Sequence, residues 1–522
     1  MKNRLLICIV FFSGSLFGQS YATLDINNIL ARINSNGILF CGDNYDCKFE
    51  VPRGRGKHTI FASNIWLGGM DEGGDLHLAA QTYNLKGVDF FYGPIADNYT
   101  SSSYITKYNK VWKMDKMIIE EHMQDYTSSG YQVPKTIADW PGNGDTTNGE
   151  ASQLAPYIDF NKNSIYDPVN GDYPDIRGDR AIFYMINDDK QAHTETGGKK
   201  LRIEIHGMAY AFYDTANSML GETVFVNFKV FNRSNNKYNS VYMGLWTDMD
   251  LGNYGDDFVG SDSLLGMFYT YNGDDIDEGI LGYGFNPPAQ GSVFLSHPIS
   301  NFLYYNNDTS NTGNPVNSLD YYNYMKGRWM DGKDMTFGGN GYGGATPSNF
   351  MFSGKPETGS GWTEISSGNT PGDRRGIMSI GPFTFLPGTD FCIDVAFPYA
   401  STKSNSSIGS VALLRQRMKI LKTFYEAQNY NCEFTAGIKE NKIEQGFAKV
   451  YPNPCNGKFT VSSSSRNSQL HIYNAIGQEV FSARINSDRT EIDLSDHTRG
   501  MYFYRLICQP GIEILGKIVI DK

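Results

Sequence analysis

The sequence predicts a mainly β protein of more than one domain. We expect an antiparallel β-sandwich body with few helices, then a small seven-stranded C-terminal sandwich of the immunoglobulin-like kind. Three observations carry this expectation. Gly at 56, Tyr at 34 and Phe at 32 are high counts among 522 residues, and turns with aromatics favour half-buried pleated surfaces. Stretches such as "GETVFVNFKVFNRS" and "GPFTFLPGTDFCIDVAFPYA" alternate at period two, the pattern of strands with one buried face. The last part of the chain repeats short alternating runs between turn residues.

Composition narrows the function classes. The formal charge of -11 and pI near 5.3 argue against a nucleic-acid partner, because no basic patch would offset phosphate repulsion. They suit a soluble extracellular protein. Met1–Ala22 has a basic start at Lys2 and Arg4, an apolar run from Leu5 to Phe17, and a small-residue end at Ser20-Tyr21-Ala22. That reads as a secretory signal peptide, too short to span a bilayer, and no later segment is long and apolar enough to be transmembrane. Without Cys8 in this leader, six of the seven cysteines remain. An even number in an exported chain points to disulfides, with 15 pairings possible for six. Proximity favours Cys41–Cys47, Cys392–Cys432 and Cys455–Cys508; zinc is the alternative, and no CxxC pair supports it.

The body is expected over residues 23–432, as one unit or two subdomains. Its clear helices are Ser410–Ala427, with Val411, Leu414, Met418, Leu421 and Tyr425 in one apolar stripe, and roughly Asp115–Asp125. The Gly/Asn/Ser-rich stretch from Asn306 to Asn369 reads as loop-rich and mobile. Residues 433–448 read as a polar linker. Beyond them come "KVYPNPCNGKFTV", "QLHIYNAIGQEVF", "TEIDLSDHTRGMYFYRLI" and "LGKIVIDK", about seven short strands split by turn residues.

This last region, residues 449–522, resembles the type A C-terminal sorting domain of the type IX secretion system. The resemblance rests on Tyr451-Pro452-Asn453-Pro454, Gly457, Gly477 within "IYNAIGQEV", Gly500 and Tyr502 within "DLSDHTRGMYFYRL", and the terminal "KIVIDK". It implies recognition by the type IX machinery, passage through the periplasm and across the outer membrane, then release or surface anchoring. The body segments "EVPRGRGKHTIFASNIWLGGMD", "WTDMDLGNYGDDFVGSD" and "GYGFNPPAQG" resemble a group of large cargo proteins of this system that have no assigned activity.

The chemistry-bearing residues are mostly acidic. In "DFNKNSIYDPVNGDYPDIRGD", Asp159, Asn161, Asn163, the Ile165 carbonyl and Asp167 stand at positions 1, 3, 5, 7 and 9 of a calcium loop. Alternate positions let a tight turn aim oxygens at a hard cation. Position 6 holds Ser164 rather than Gly, and position 12 holds Asn170 rather than Glu, with Asp172 available as a further ligand. Calcium, a polar turn and catalysis are the open readings. A second run supplies Asp248, Asp250, Asp256, Asp257 and Asp262, with Asp274, Asp275 and Asp277 further on; such a group repels itself unless a cation or protons neutralise it. A bound metal, solvated turns or an acid/base pair would each account for it.

Catalytic signatures are weaker. Glu204 and His206 share a strand face, with His193 and Glu195 upstream; zinc binding and a hydrogen-bonded structural cluster compete there. There is no HExxH and no GxSxG, and "RGRGKHT" at Arg53–Thr59 lacks the spacing of a phosphate loop. Trp66, Trp140, Trp246, Trp329 and Trp362 could stack on sugars or fill the core. The expected function is a calcium-stabilised adhesion, structural or polymer-binding protein, with a polysaccharide or cell-surface ligand. A secreted hydrolase of glycan or peptide is the alternative.

Overall fold

The computed structural model describes residues 21–42, 45–83, 85–213, 218–402, 406–428, 430, 432, 448–463, 468–474, 478–487, 489–509 and 512–521. The chain divides into two compact units between Gly437 and Ile438, within the segment expected to be a linker.

The first unit is built on two antiparallel sheets, with strands numbered along the chain. The larger runs β14 (Asp257–Asp262), β15 (Met267–Asn272), β16 (Ala289–Phe294), β19 (Asp390–Ala400), β12 (Thr223–Asn232), β11 (Ile203–Ala211), β10 (Arg180–Asn187) and β6 (Phe91–Tyr92), with β7 (Trp112–Asp115) also on β10. The second runs β17 (Asn301–Asn306), β18 (Arg374–Phe385), β13 (Tyr238–Met249), β4 (Ala62–Met70) and β5 (Leu76–Ala80). A small sheet of β1 (Tyr21–Leu24), β2 (Leu30–Asn34) and β3 (Phe49–Glu50) and a pair β8 (Tyr157–Ile158) and β9 (Tyr173–Pro174) complete it. Of the expected leader, only Tyr21 and Ala22 fall among the described residues, and both pair with β2, opposite Asn34 and Ile33.

Period-two alternation sorts the side chains of the larger sheet onto two cores. Ile182, Tyr184, Ile186, Val224, Val226, Ile393 and Val395 face the five-stranded sheet, meeting Trp66, Leu245, Trp246 and Met378. Phe183, Met185, Phe225, Tyr269 and Val293 face the other way, packing with Val411, Leu414, Met418 and Leu421. Those four lie on the helix Ser407–Ala427, capped by the Ser406 side chain on the Gly409 N–H. The second expected helix spans Lys116–Asp125. Since both faces of the larger sheet are covered, β11 is buried throughout.

The loop-rich stretch after Asn306 is more ordered in its packing than its composition implies. A capping box of Asn317 and Asp320 starts a helix over Ser318–Met325, and Tyr321, Tyr324, Trp329, Met335 and Met351 are core residues. All five candidate sugar-stacking tryptophans, Trp66, Trp140, Trp246, Trp329 and Trp362, are buried.

The C-terminal unit has seven strands in two sheets: β20 (Ala448–Tyr451), β21 (Lys458–Ser463) and β24 (Arg489–Asp493) in one, β23 (Glu479–Ile485), β22 (Ser468–Tyr473), β25 (Gly500–Gln509) and β26 (Ile512–Ile520) in the other. Their inward side chains, among them Val461, Leu470, Ile472, Leu506 and Ile518, form a separate core.

Two disulfides form as proximity suggested, Cys41–Cys47 and Cys392–Cys432. The third pairing is corrected: Cys455 is a free, buried thiol, held among Leu470, Leu506 and Ile520, while the side chain of Cys508 lies outside the described residues. Cys392–Cys432 closes a loop of sequence separation 40 and anchors the segment after the long helix to β19. Replacing both cysteines by Ala should therefore cost about 4 kcal/mol, chiefly through the freer unfolded chain. Denaturant unfolding of the variant and the oxidised parent measures it.

Candidate cation sites and the sorting domain

The loop 159–172 is closed at its neck by β8 and β9, where Ile158 pairs with Tyr173. Inside it, Asp159 Oδ1 and Oδ2 accept the N–H groups of Asn163 and Ser164 at 3.1 and 2.7 Å. Asp167 is ringed by the side-chain amides of Asn161, Asn163 and Asn170 at 3.0, 2.9 and 2.8 Å. These donors, Asn170 first, hold its carboxyl below the usual carboxylate range. Lys162 and Ser164 have φ of 60° and 63°, the left-handed region that side chains enter at a cost. Ser164 occupies the position where a calcium loop takes Gly for its sharp turn. Asp172 is buried, and its two oxygens accept Phe160 N–H and Asp167 N–H, each at 2.9 Å. It braces the loop from behind. The Ile165 N–H bonds to Asn163 Oδ1 at 2.8 Å, so the loop wraps in tight Asx turns.

The second acidic run does not assemble as one group. Asp248 and Asp250, at the end of β13, meet Asp373, at the entrance to β18, with side-chain oxygens within 4.8 Å of one another. Burial pushes the Asp248 carboxyl up to about 6, against the pull of Arg375. Burial, then repulsion from Asp248 and Asp373, raises Asp250 well above the ordinary range. Asp257 is completely buried, which raises its carboxyl too; Oδ2 accepts the Leu251 N–H at 3.1 Å and Oδ1 has no donor. Asp256 sits beside Asp277 and burial pushes it up to about 6, while Asp277 is held by the N–H groups of Asn253 and Tyr283 at 3.0 and 2.8 Å. Asp275 accepts the Ser407 N–H at the start of the long helix, and Asp274 turns back on Ile276 N–H. Asp262 lies at the far end of β14, roughly 16 Å along the strand from Asp257 at 3.3 Å per residue, in an ion pair with Arg415 at 2.6 Å.

Sequence reading missed Asp373, and only strand pairing reveals it. β13 and β18 run antiparallel with Asp248 opposite Arg375 and Met249 opposite Arg374, which brings Asp373 to the level of Asp250.

The other titratable candidates are bonded to neighbouring protein groups, although Glu195 Oε2 is buried without a donor. Glu204 Oε1 bonds His206 Nε2 at 3.0 Å and Arg233 Nη2 at 2.7 Å, and Oε2 accepts Ile95 N–H at 2.8 Å. Burial opposes ionisation of Glu204, yet His206 and Arg233 outweigh it and hold its carboxyl at about 2. His193 instead faces the carbonyls of Leu78 and Asp188 at 2.7 and 2.9 Å, and Glu195 takes the hydroxyls of Thr82 and Tyr321 at 2.6 and 2.9 Å. The four residues do not share a ligand position. Cys392, Asp394 and Cys432 also lie close together, but the disulfide occupies both sulfurs.

In the C-terminal unit the described sorting-motif residues have mechanical parts. Asn453 Nδ2 donates to the Lys517 carbonyl and its Oδ1 accepts the Val519 N–H, both at 2.8 Å, so the Tyr451-Pro452-Asn453-Pro454 turn is stitched to β26. Gly457 has φ +104°, and a Cβ there would meet the Ser495 backbone at 2.8 Å. Gly500 opens β25, and the buried Tyr502 donates its hydroxyl to the Thr498 carbonyl at 2.8 Å. Gly477 lies outside the described residues.

Comparison with known families finds that the family described as "Secretion system C-terminal sorting domain" matches residues 449–521. The C-terminal unit is thus a type IX secretion sorting domain, which directs the protein to the cell surface or the extracellular space. No helix of the described residues is long and apolar enough to cross a membrane. No curated protein matches the chain. A solved polysaccharide lyase aligns with 8% identity over 67% of this chain and 37% of its own, at a TM-score of 0.20, a level that carries no argument.

The Glu204 cluster yields a pH prediction. Its folded-state carboxyl lies below the ordinary 4.5, so its contribution is present above that pH and lost as pH falls towards about 2. Glu204→Gln should cost about 3 kcal/mol at neutral pH by leaving His206 and Arg233 unmatched. In urea titrations from pH 7 down to 2, the gap between parent and variant should close only below about 4.5.

Proposed function

We propose that this is an exported binding or structural protein of the cell surface or extracellular space, with calcium at the Asp159–Asp167 loop stabilising its body. The export route rests on the sorting domain. The calcium reading rests above all on Ser164: it holds the left-handed backbone of position 6 while Asp159 takes the N–H groups of positions 5 and 6. The chain accepts strain to keep the shape of a calcium loop although Gly is missing. Turning the Asn161 and Asn163 amides about their own axes would exchange N–H donors for carbonyl oxygens around Asp167. With Asp159 and the Ile165 carbonyl, that set offers a hard cation the six or more oxygens it takes once water is counted.

A binding or structural role is favoured over turnover because the Glu/His pair is committed to Arg233 and the candidate tryptophans are buried. A polysaccharide or cell-surface ligand remains the chemical class that fits an exported acidic β protein.

Two experiments test these readings. Thermal unfolding of the purified protein with calcium and with a chelator should differ, by about 2.7 kcal/mol at one hundred times the dissociation constant, and Asp159→Asn with Asp167→Asn should lose at least part of that response. A double variant as calcium-responsive as the parent rules the loop out. Deleting Tyr451–Lys522 should leave the body in the periplasm; its normal appearance outside the cell would contradict sorting by this domain.

A further inference from the structure

The carboxylates at the β13–β18 edge come from segments far apart in sequence, and the register forces them together. Residues 248 and 375 are paired, as are 249 and 374, so extending the ladder by one step sets Asp250 against Asp373. Like charges directly opposite on neighbouring strands are destabilising. Asp248 joins them, with ligand oxygens of all three within 4.8 Å of one another. Oxygens so spaced fit on the coordination sphere of a calcium ion, about 2.4 Å in radius.

An independent observation concerns Asp248 itself. Only 2% of the residue is exposed. One oxygen, Oδ2, accepts the Tyr83 hydroxyl and lies 3.4 Å from Arg375 Nη2. The other, Oδ1, is buried with no donor. A buried carboxylate oxygen left without a partner is costly, and the Asp248 carboxyl that carries it lies beside two further carboxylates. Arg375 is the positive group at the cluster, 2.9 Å from Asp373 Oδ1 through Nη1. Three carboxylates and one guanidinium leave a formal charge of two negative units, that of one divalent cation. The backbone beside Asp373 is held by the Asp257 carbonyl, which accepts the Gly372 N–H at 2.9 Å.

We propose that Asp248, Asp250 and Asp373 bind a divalent hard cation, calcium in the extracellular setting, with Tyr83 and Arg375 fixing the shared carboxylate of Asp248. This site is separate from the Asp159–Asp167 loop and does not rest on it.

The test uses the full secreted chain, stripped with a chelator and titrated with calcium chloride. Asp250→Asn is close to isosteric and removes one of the opposed charges. With chelator it should melt no lower than the parent, because repulsion is relieved; with millimolar calcium it should melt lower, because a ligand is gone. That reversal of order is what a merely structural acid would not give. Calorimetric titration of Asp250→Asn with Asp373→Asn should show one fewer bound calcium per chain than the parent, whereas Asp159→Asn with Asp167→Asn should leave this site filled. If the double variant does not fold, the Asp250→Asn titration alone reads the same loss as a weakening of at least tenfold. A parent that binds no calcium here, an unchanged stoichiometry in the Asp250/Asp373 variant, or the same melting order in both solutions overturns the proposal. Failure of the Asp159/Asp167 variant to alter binding would sink only the loop.

Discussion

Strand β13 is the constraint on which the body depends. It lies between β4 and β18 and is paired along most of its length with both. Its side chains must therefore satisfy two neighbours and a buried face at once, and Trp246 does so by stacking against Trp66 of β4 with ring centroids 6.2 Å apart. Trp246 also donates its indole N–H to the Tyr305 hydroxyl on the far side of β18 at 2.7 Å. A strand pinned in this way cannot slip by one residue without turning its core face outward. The position of Asp248 and Asp250 at its end is fixed by the same pairing that builds the core.

Two buried acidic groups in this protein reach opposite electrostatic outcomes. Glu204 is surrounded by donors on both oxygens, so the ionised form is favoured despite burial. Where Asp248, Asp250 and Asp373 meet, the carboxylates outnumber the positive groups, and burial with the nearby negative charge raises Asp248 and Asp250 above the ordinary carboxylate range. The contrast separates an acid used as internal bracing from acids assembled in excess of their donors. Asp262 belongs to the first kind, since Arg415 binds it along with Glu357 at 2.6 and 3.1 Å.

Much of the fold was legible because alternation reports directly on burial. β12, β19, the last residues of β18 and the long helix fall where periodicity placed them, although β19 is buried on both faces rather than one, and the seven C-terminal strands follow their turn residues. What local pattern could not show was anything created by pairing distant segments. Asp373 looks like an ordinary loop acid in "PGDRRG" until β18 is laid beside β13. Asp262 looked like a neighbour of Asp257, but a straight strand carries it away. The packing of Trp329 and Met351 was hidden by a glycine-rich composition that suggests loose chain. At the Asp159 loop the ligand spacing was visible, while the backbone at Ser164 was not, because a serine gives no sign that it will adopt a glycine conformation. Proximity in sequence found the Cys41–Cys47 and Cys392–Cys432 links and failed at Cys455, whose sulfur the small C-terminal core had already absorbed.

The placement of the sulfur links has a consequence for maturation. Both covalent bonds join residues between Cys41 and Cys432, so neither crosses from the body into the export signal. A protease that severs the chain after Cys432 would part cargo from address label without reducing either of these two bonds, and the freed cargo would keep both.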